Sequence, residues 1–163
     1  MFKVGIITAS DKGSKRQRED KSGLVISEIV KKKGYTVGKY VVLPDDIESI
    51  SSEMIYMCDE LGVDLILTTG GTGFAKRDVT PEATLKVIDK LVPGIPEAMR
   101  SFSLKFTERA MLSRATSGIR KDKTLIINLP GSPKAVTETL EYIIDSVHHG
   151  LEIMTGRDSE CAR

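Results

Sequence analysis

Leu65-Ile66-Leu67-Thr68-Thr69 runs directly into Gly70-Gly71-Thr72-Gly73. Glycine lets the backbone come close to a ligand and aim successive N–H groups at it, so Gly70, Gly71, Thr72 and Gly73 are candidates to cradle an anion. Thr80-Pro81 follows, with Thr80 expected as a helix cap and Pro81 as the first helical residue. A helix N-terminus presents free N–H donors and partial positive charge, which suit phosphate. A second corner of this kind lies downstream, where Ile126-Ile127-Asn128-Leu129 enters Pro130-Gly131-Ser132-Pro133-Lys134. There Ser132 is the expected cap and Lys134 a cation beside it. Either corner taken singly can be no more than a turn. Two of them in a chain of 163 residues point to a ligand bearing anionic groups. The chain contains no G-x-x-x-x-G-K-[ST], and its glycine loop is not G-x-G-x-x-G, so neither a P-loop NTPase nor a standard dinucleotide fold is supported.

Carboxylates fall at comparable places. Asp11 follows the first apolar run, Asp45 and Asp46 follow Pro44 after the second, and Asp78 lies between the glycines and Thr80. Each taken alone reads as a turn or cap residue. Together, beside a phosphate site, they would repel the ligand unless a cation lay between, and Mg²⁺ is the usual bridge between one or two carboxylates and phosphate oxygens. Lys15, Arg16, Arg18, Lys76, Arg77 and Arg114 lie near the same loops, as phosphate partners or as solvated loop charges.

These residues need strands and helices to position them. Residues 4–9, 35–43, 63–69 and 125–129 read as strands, with a shorter candidate at 115–119. Helical spacing covers 20–33, with Asp20 as cap and Gly34 as terminator, then 47–61, 81–91, 95–106 and a last helix from Pro133. His148 and His149 fall late in that last helix and read as helix-end residues. Alternation of strand and helix predicts an α/β fold. It is a single three-layer domain over residues 1–163, with a mostly parallel central sheet and helices on both faces. In such a sheet ligands bind beyond the carboxyl ends of the strands, where the glycine corners and carboxylates lie.

Composition sets outer bounds. The chain is 40% hydrophobic and 29% charged, with a net charge of +1, so it lacks the basic excess of a nucleic-acid binder. No apolar run approaches a bilayer span and the N-terminus does not read as a secretion signal, so a cytoplasmic protein with no membrane association is expected. Cys58 and Cys161 have no metal-ligand spacing and read as one buried and one exposed thiol.

Taken in order, Ile7-Thr8-Ala9-Ser10-Asp11, Leu43-Pro44-Asp45-Asp46, residues 68–73, Arg77-Asp78-Val79-Thr80-Pro81-Glu82-Ala83, Pro93-Gly94-Ile95-Pro96-Glu97, Leu112-Ser113-Arg114 and residues 128–134 resemble the molybdopterin adenylyltransferases of molybdenum cofactor biosynthesis. The resemblance covers nearly the whole chain and implies the molybdopterin-binding fold. It also implies a reaction in which ATP and molybdopterin, with Mg²⁺, give adenylyl-molybdopterin and pyrophosphate. By the same resemblance, Asp45 and Asp78 would serve catalysis and hold Mg²⁺. Ser10, Asp11, residues 70–73 and Thr80 would line the nucleotide and phosphate side, and Glu97, Ser113, Ser132 and Lys134 would hold the pterin. A homotrimer and a downstream molybdate-insertion protein are implied as partners. A non-catalytic molybdopterin-binding or carrier protein of the same family is the rival reading.

Overall fold

The computed structural model describes residues 1–157. The strands are β1 (Lys3–Ala9), β2 (Thr36–Leu43), β3 (Leu65–Thr69), β4 (Lys90–Leu91), β5 (Ser117–Arg120) and β6 (Thr124–Leu129). The α-helices are α1 (Asp11–Ser14), α2 (Lys21–Lys32), α3 (Ile47–Asp59), α4 (Thr80–Val87), α5 (Gly94–Ser103) and α6 (Pro133–Met154), and a 3-10 turn covers Glu108–Leu112. One sheet runs in the order β2-β1-β3-β6-β5-β4. β1 pairs in parallel with β2 and β3, β3 pairs in parallel with β6, and the β5 pairings with β6 and β4 are antiparallel.

The central strands read as unbroken apolar runs because both of their faces are covered. Val4, Ile6, Leu65, Leu67, Leu125, Ile127 and Leu129 pack on one side with Ile26 and Val30 of α2, Met99 of α5 and the stripe Val136, Leu140, Ile143 and Val147 of α6. Their strand neighbours Ile7, Ala9, Ile66 and Ile126 pack on the other side with Ile50, Met54 and Met57 of α3 and with Ala83 and Val87 of α4. This is the two-residue alternation of a strand, expressed as two cores instead of one core and one wet face.

Two expectations need correction. The helix expected over 81–91 ends at Val87, and Lys90–Leu91 forms an edge strand on β5 instead. Both residues of that strand are exposed, so no apolar alternation marks it in the sequence. Thr80 is not the cap of α4. Val79 occupies that position without a side-chain cap bond, while the Thr80 hydroxyl donates to the carbonyl of Gly70 at 2.9 Å. The caps expected at Asp20 and Ser132 are present, accepting from the N–H of Gly23 and of Ala135. Gly34 ends α2 at φ +87°. His148 stacks on Tyr35, whose hydroxyl lies 2.7 Å from Nδ1. Burial, with Asp145 and Glu152 nearby, pushes the Tyr35 hydroxyl up to about 12. Cys58 is buried; Cys161 lies outside the described residues.

Candidate functional site

The chain leaves β1 towards β2 on one side and reaches β3 on the other, so the sheet order reverses between β1 and β3. A crevice opens at the carboxyl ends of strands at such a point. A cleft of about 780 Å³ lies there, lined by Thr8, Ala9 and Ser10 from the end of β1, Thr69 and Gly70 from β3, and Gly131 and Ser132 after β6. The first residues of α2 and α6 open onto it, so two helix N-termini face one space.

The glycine loop has its shape because no other residue fits. Gly70 and Gly71 take φ of +88° and +71°, in the left-handed region. A Cβ on Gly70 would sit 2.4 Å from the Ala9 carbonyl oxygen, and one on Gly71 would sit 2.3 Å from the Thr80 hydroxyl. The loop is tied to its neighbours by the Thr80–Gly70 bond, by the Thr80 N–H donating to the Gly71 carbonyl at 3.1 Å, and by the Thr69 hydroxyl donating to the Pro130 carbonyl at 2.6 Å. The Ser22 hydroxyl donates to the Gly131 carbonyl at 2.7 Å, so α2 fixes the second corner as well.

Asn128 organises the floor beneath, a role that sequence reading alone did not assign. It is fully buried, and its amide donates to the hydroxyls of Thr68 at 3.1 Å and Thr84 at 2.9 Å. Its side-chain oxygen accepts from the Thr116 N–H at 3.2 Å. One side chain thereby joins β3, α4 and the approach to β5 under the loops. A buried polar residue in a β-branched run was the available clue.

A second cavity of about 290 Å³ lies beyond the glycine loop. Thr72, Gly73, Ser113, Pro130 and Gly131 line it, with Pro96 and Met99 of α5 and Leu112 giving it an apolar wall, and Arg100 also borders it. Gly131 borders both cavities.

The carboxylates of Asp11, Asp45 and Asp78 gather beside the glycine turn and line neither cavity. The Asp11 N–H donates to Asp45 Oδ2 at 2.9 Å, and the Asp45 N–H donates to Asp11 Oδ1 at 3.0 Å. Arg77 forks onto Asp11, Nε to Oδ2 at 3.0 Å and Nη2 to Oδ1 at 2.8 Å. Arg77 first, then the Asp45 N–H, hold the Asp11 carboxyl below the usual carboxylate range. Asp45 goes the other way: burial raises it, the Asp11 N–H opposes, and the Asp11 and Asp78 carboxylates push it further up. Asp78 Oδ2 accepts from the Ala75 N–H at 3.0 Å, and the same oxygen would sit 2.8 Å from a Cβ on Gly73. Asp45 Oδ1 would sit 3.4 Å from a Cβ on Gly71. Asp45 and Asp78 therefore flank the glycine turn. Asp46 instead caps α3, accepting from the Ser49 N–H at 2.8 Å.

A divalent cation fits this arrangement. Asp45 is half-buried beside two more carboxylates, and no protein donor among the described residues bonds its Oδ1 or that of Asp78. No group of three or more His, Cys, Asp or Glu side chains among the described residues is arranged to hold a metal. Two carboxylates suit Mg²⁺, which completes its shell with water and substrate phosphate.

Other expected site residues scatter. Ser10 and Ser132 line the larger cleft and Ser113 the smaller cavity. Glu97 and Lys134 are exposed and line neither. The four residues assigned to one pterin site thus do not converge. Arg114 turns inward onto backbone carbonyls, with Nε donating to Gly73 at 2.8 Å.

Residues 5–149 match the family described as "Probable molybdopterin binding domain". The chain is 44% identical over 157 residues to the molybdopterin adenylyltransferase of Helicobacter pylori, covering 94% of this chain and 88% of that protein. The chain belongs to the molybdopterin adenylyltransferase family. The Escherichia coli K12 molybdopterin adenylyltransferase is 41% identical, over 92% of this chain and 80% of its own length. Among solved structures, the molybdopterin biosynthesis enzyme MoaB from Thermus thermophilus superposes with a TM-score of 0.89 at 46% identity, covering 96% of this chain and 98% of that one. Family membership therefore accounts for the α/β architecture. No helix of the described residues is long and apolar enough to cross a membrane.

Proposed function

We propose that this chain is the enzyme of molybdenum cofactor biosynthesis that adenylylates molybdopterin at the expense of Mg-ATP. The observation that carries this reading is the meeting of two cavities at Gly131, with Gly70 of the glycine turn lining one, Thr72 and Gly73 lining the other, and Asp45 and Asp78 flanking the turn itself. Two ligands held there face each other across the turn. In this assignment the larger cleft takes the nucleotide, with Ser10 and Ser132 in its lining and its phosphates on residues 70–73, while Asp11 stands next to Ser10 with its carboxylate held by Arg77 and the Asp45 N–H. The smaller cavity takes the pterin, with Ser113 beside it; its apolar wall suits a flat ring.

In the transfer, an oxygen of the terminal phosphate of molybdopterin forms a bond to the α-phosphorus of ATP. The bond from the α-phosphorus to the bridging α–β oxygen breaks, and pyrophosphate leaves with that electron pair. No protein atom becomes covalently linked. Asp45 and Asp78 would hold Mg²⁺, which when bound neutralises phosphate charge in the transition state. The chain's own work is to align both ligands and to present preorganised polar groups to them. A homotrimer and a molybdate-insertion protein that accepts the product complete the proposed setting, in the cytoplasm.

The test is turnover by the purified protein given molybdopterin and ATP with and without Mg²⁺. Adenylyl-molybdopterin and pyrophosphate forming together only with Mg²⁺ is the expected result. Tight pterin binding without either product would replace this reading with that of a carrier.

A further inference from the structure

We propose that Arg114 is a positioning residue for Asp78, not a phosphate ligand; the inference rests on Asp78 acting at the site proposed above. The guanidinium directs its whole fork at protein. Nε donates to the Gly73 carbonyl at 2.8 Å, Nη2 to the Asp78 carbonyl at 2.7 Å, and Nη1 pairs with Glu82 of α4. The Arg114 N–H donates to the Thr72 carbonyl at 2.9 Å. Gly73 and Asp78 are the two ends of one loop, so this single side chain closes the loop at both ends and fastens it to α4.

Arg114 is itself held from behind. Arg100 Nη1 donates to the carbonyls of Ser113 at 3.2 Å and Ala115 at 3.0 Å, on either side of Arg114. The fork must reach two carbonyls and a carboxylate at once, which a planar guanidinium does and a lysine ammonium does not. The Arg114 side chain keeps about a third of its surface, 34%, in solvent, so replacing it removes a brace without opening the core.

The test uses the full chain carrying R114K, with E82Q as a second variant. Hydrogen exchange at the amides of residues 73–79 is measured without ligands, Mn²⁺ binding is measured with ATP present, and kcat and KM are measured in turnover. For R114K the expected results are exchange faster by on the order of tenfold in that loop alone, weaker Mn²⁺ binding, and kcat lower by about 100-fold at near-constant KM for ATP. E82Q keeps both carbonyl bonds and is expected to leave kcat within about threefold of wild type. A phosphate-binding role predicts the reverse pattern, in which lysine keeps the charge, KM for ATP rises and exchange is unchanged; that pattern would overturn the proposal. Wild-type protein without turnover would refute the adenylylation reading, while exchange and Mn²⁺ binding would still decide the role of Arg114.

Discussion

Asp11 and Asp45 grip each other reciprocally, each backbone N–H donating to the other's carboxylate at 2.9 and 3.0 Å. The clasp ties the ends of β1 and β2 together and leaves Asp45 Oδ1 facing the glycine turn. Asp45 carries its charge there against burial and against its two acidic neighbours.

Asp45→Ala and Asp78→Ala should therefore each reduce turnover by about 100- to 1000-fold, the scale on which removing one group that stabilises transition-state charge is felt. Each variant loses one bond from a backbone N–H, of Asp11 or of Ala75, so a small drop in melting temperature is expected while circular dichroism stays close to wild type. Near-normal turnover in both variants would sink the assignment of these roles.

Gly70→Ala and Gly34→Ala separate strain from collision. Both glycines have positive φ, but a Cβ at Gly34 meets nothing within 4 Å whereas one at Gly70 meets backbone at 2.4 Å. Gly34→Ala should cost about 1–2 kcal/mol and leave turnover unchanged. Gly70→Ala should cost more, at least about 2–3 kcal/mol, and abolish turnover because the loop must move away from Ala9. Urea unfolding of the two variants side by side checks the order.

Asn128→Ala would leave the half-buried Thr116 N–H without its acceptor and the buried Thr68 and Thr84 hydroxyls without the amide donor, although Thr84 keeps its own bond to the Thr80 carbonyl. An expected loss of roughly 2–3 kcal/mol follows from the usual cost of an orphaned buried group. Calorimetric melting would report it, and a loss below the effect of an exposed Asn→Ala change would show that the network is dispensable.

Asp59 gives a pH dependence with a definite sign. Arg120 forks onto its carboxylate at 3.1 and 2.8 Å and Lys121 joins at 2.8 Å, so its carboxyl is held far below the ordinary value of 3.8. A carboxylate depressed in the folded state contributes stability above its unfolded pKa and loses it as pH falls through the folded one. Asp59→Asn should thus be less stable than wild type at pH 7, and the gap should narrow steadily below pH 3.8. Denaturant midpoints at pH 7 and pH 3 measure this; an equal gap at both would contradict the ion-pair account.

How far the sequence reveals this molecule depends on the range of each interaction. β1, β3 and β6 are legible because doubly covered strands are continuous apolar runs, and Asp20 and Ser132 because capping acts within three residues. Thr80 misleads for the same reason: its type and its proline neighbour signal a cap, but its hydroxyl serves a carbonyl ten residues upstream. Arg114 and Asn128 reach partners up to 41 and 60 positions away, where spacing carries no information. Of the antiparallel edge, β5 shows as the candidate at 115–119, whereas β4 is invisible because Lys90 and Leu91 are both exposed.

The two cavities meet at Gly131. A molecule made by joining their occupants keeps both footholds at once. While one half lets go, the other holds it at high local concentration, so the joined species leaves far more slowly than either part alone. On the proposed assignment, the arrangement that brings two reactants together would also make departure the slow event. A receiving protein that takes hold of the exposed half before the rest dissociates would empty the site faster than dilution can.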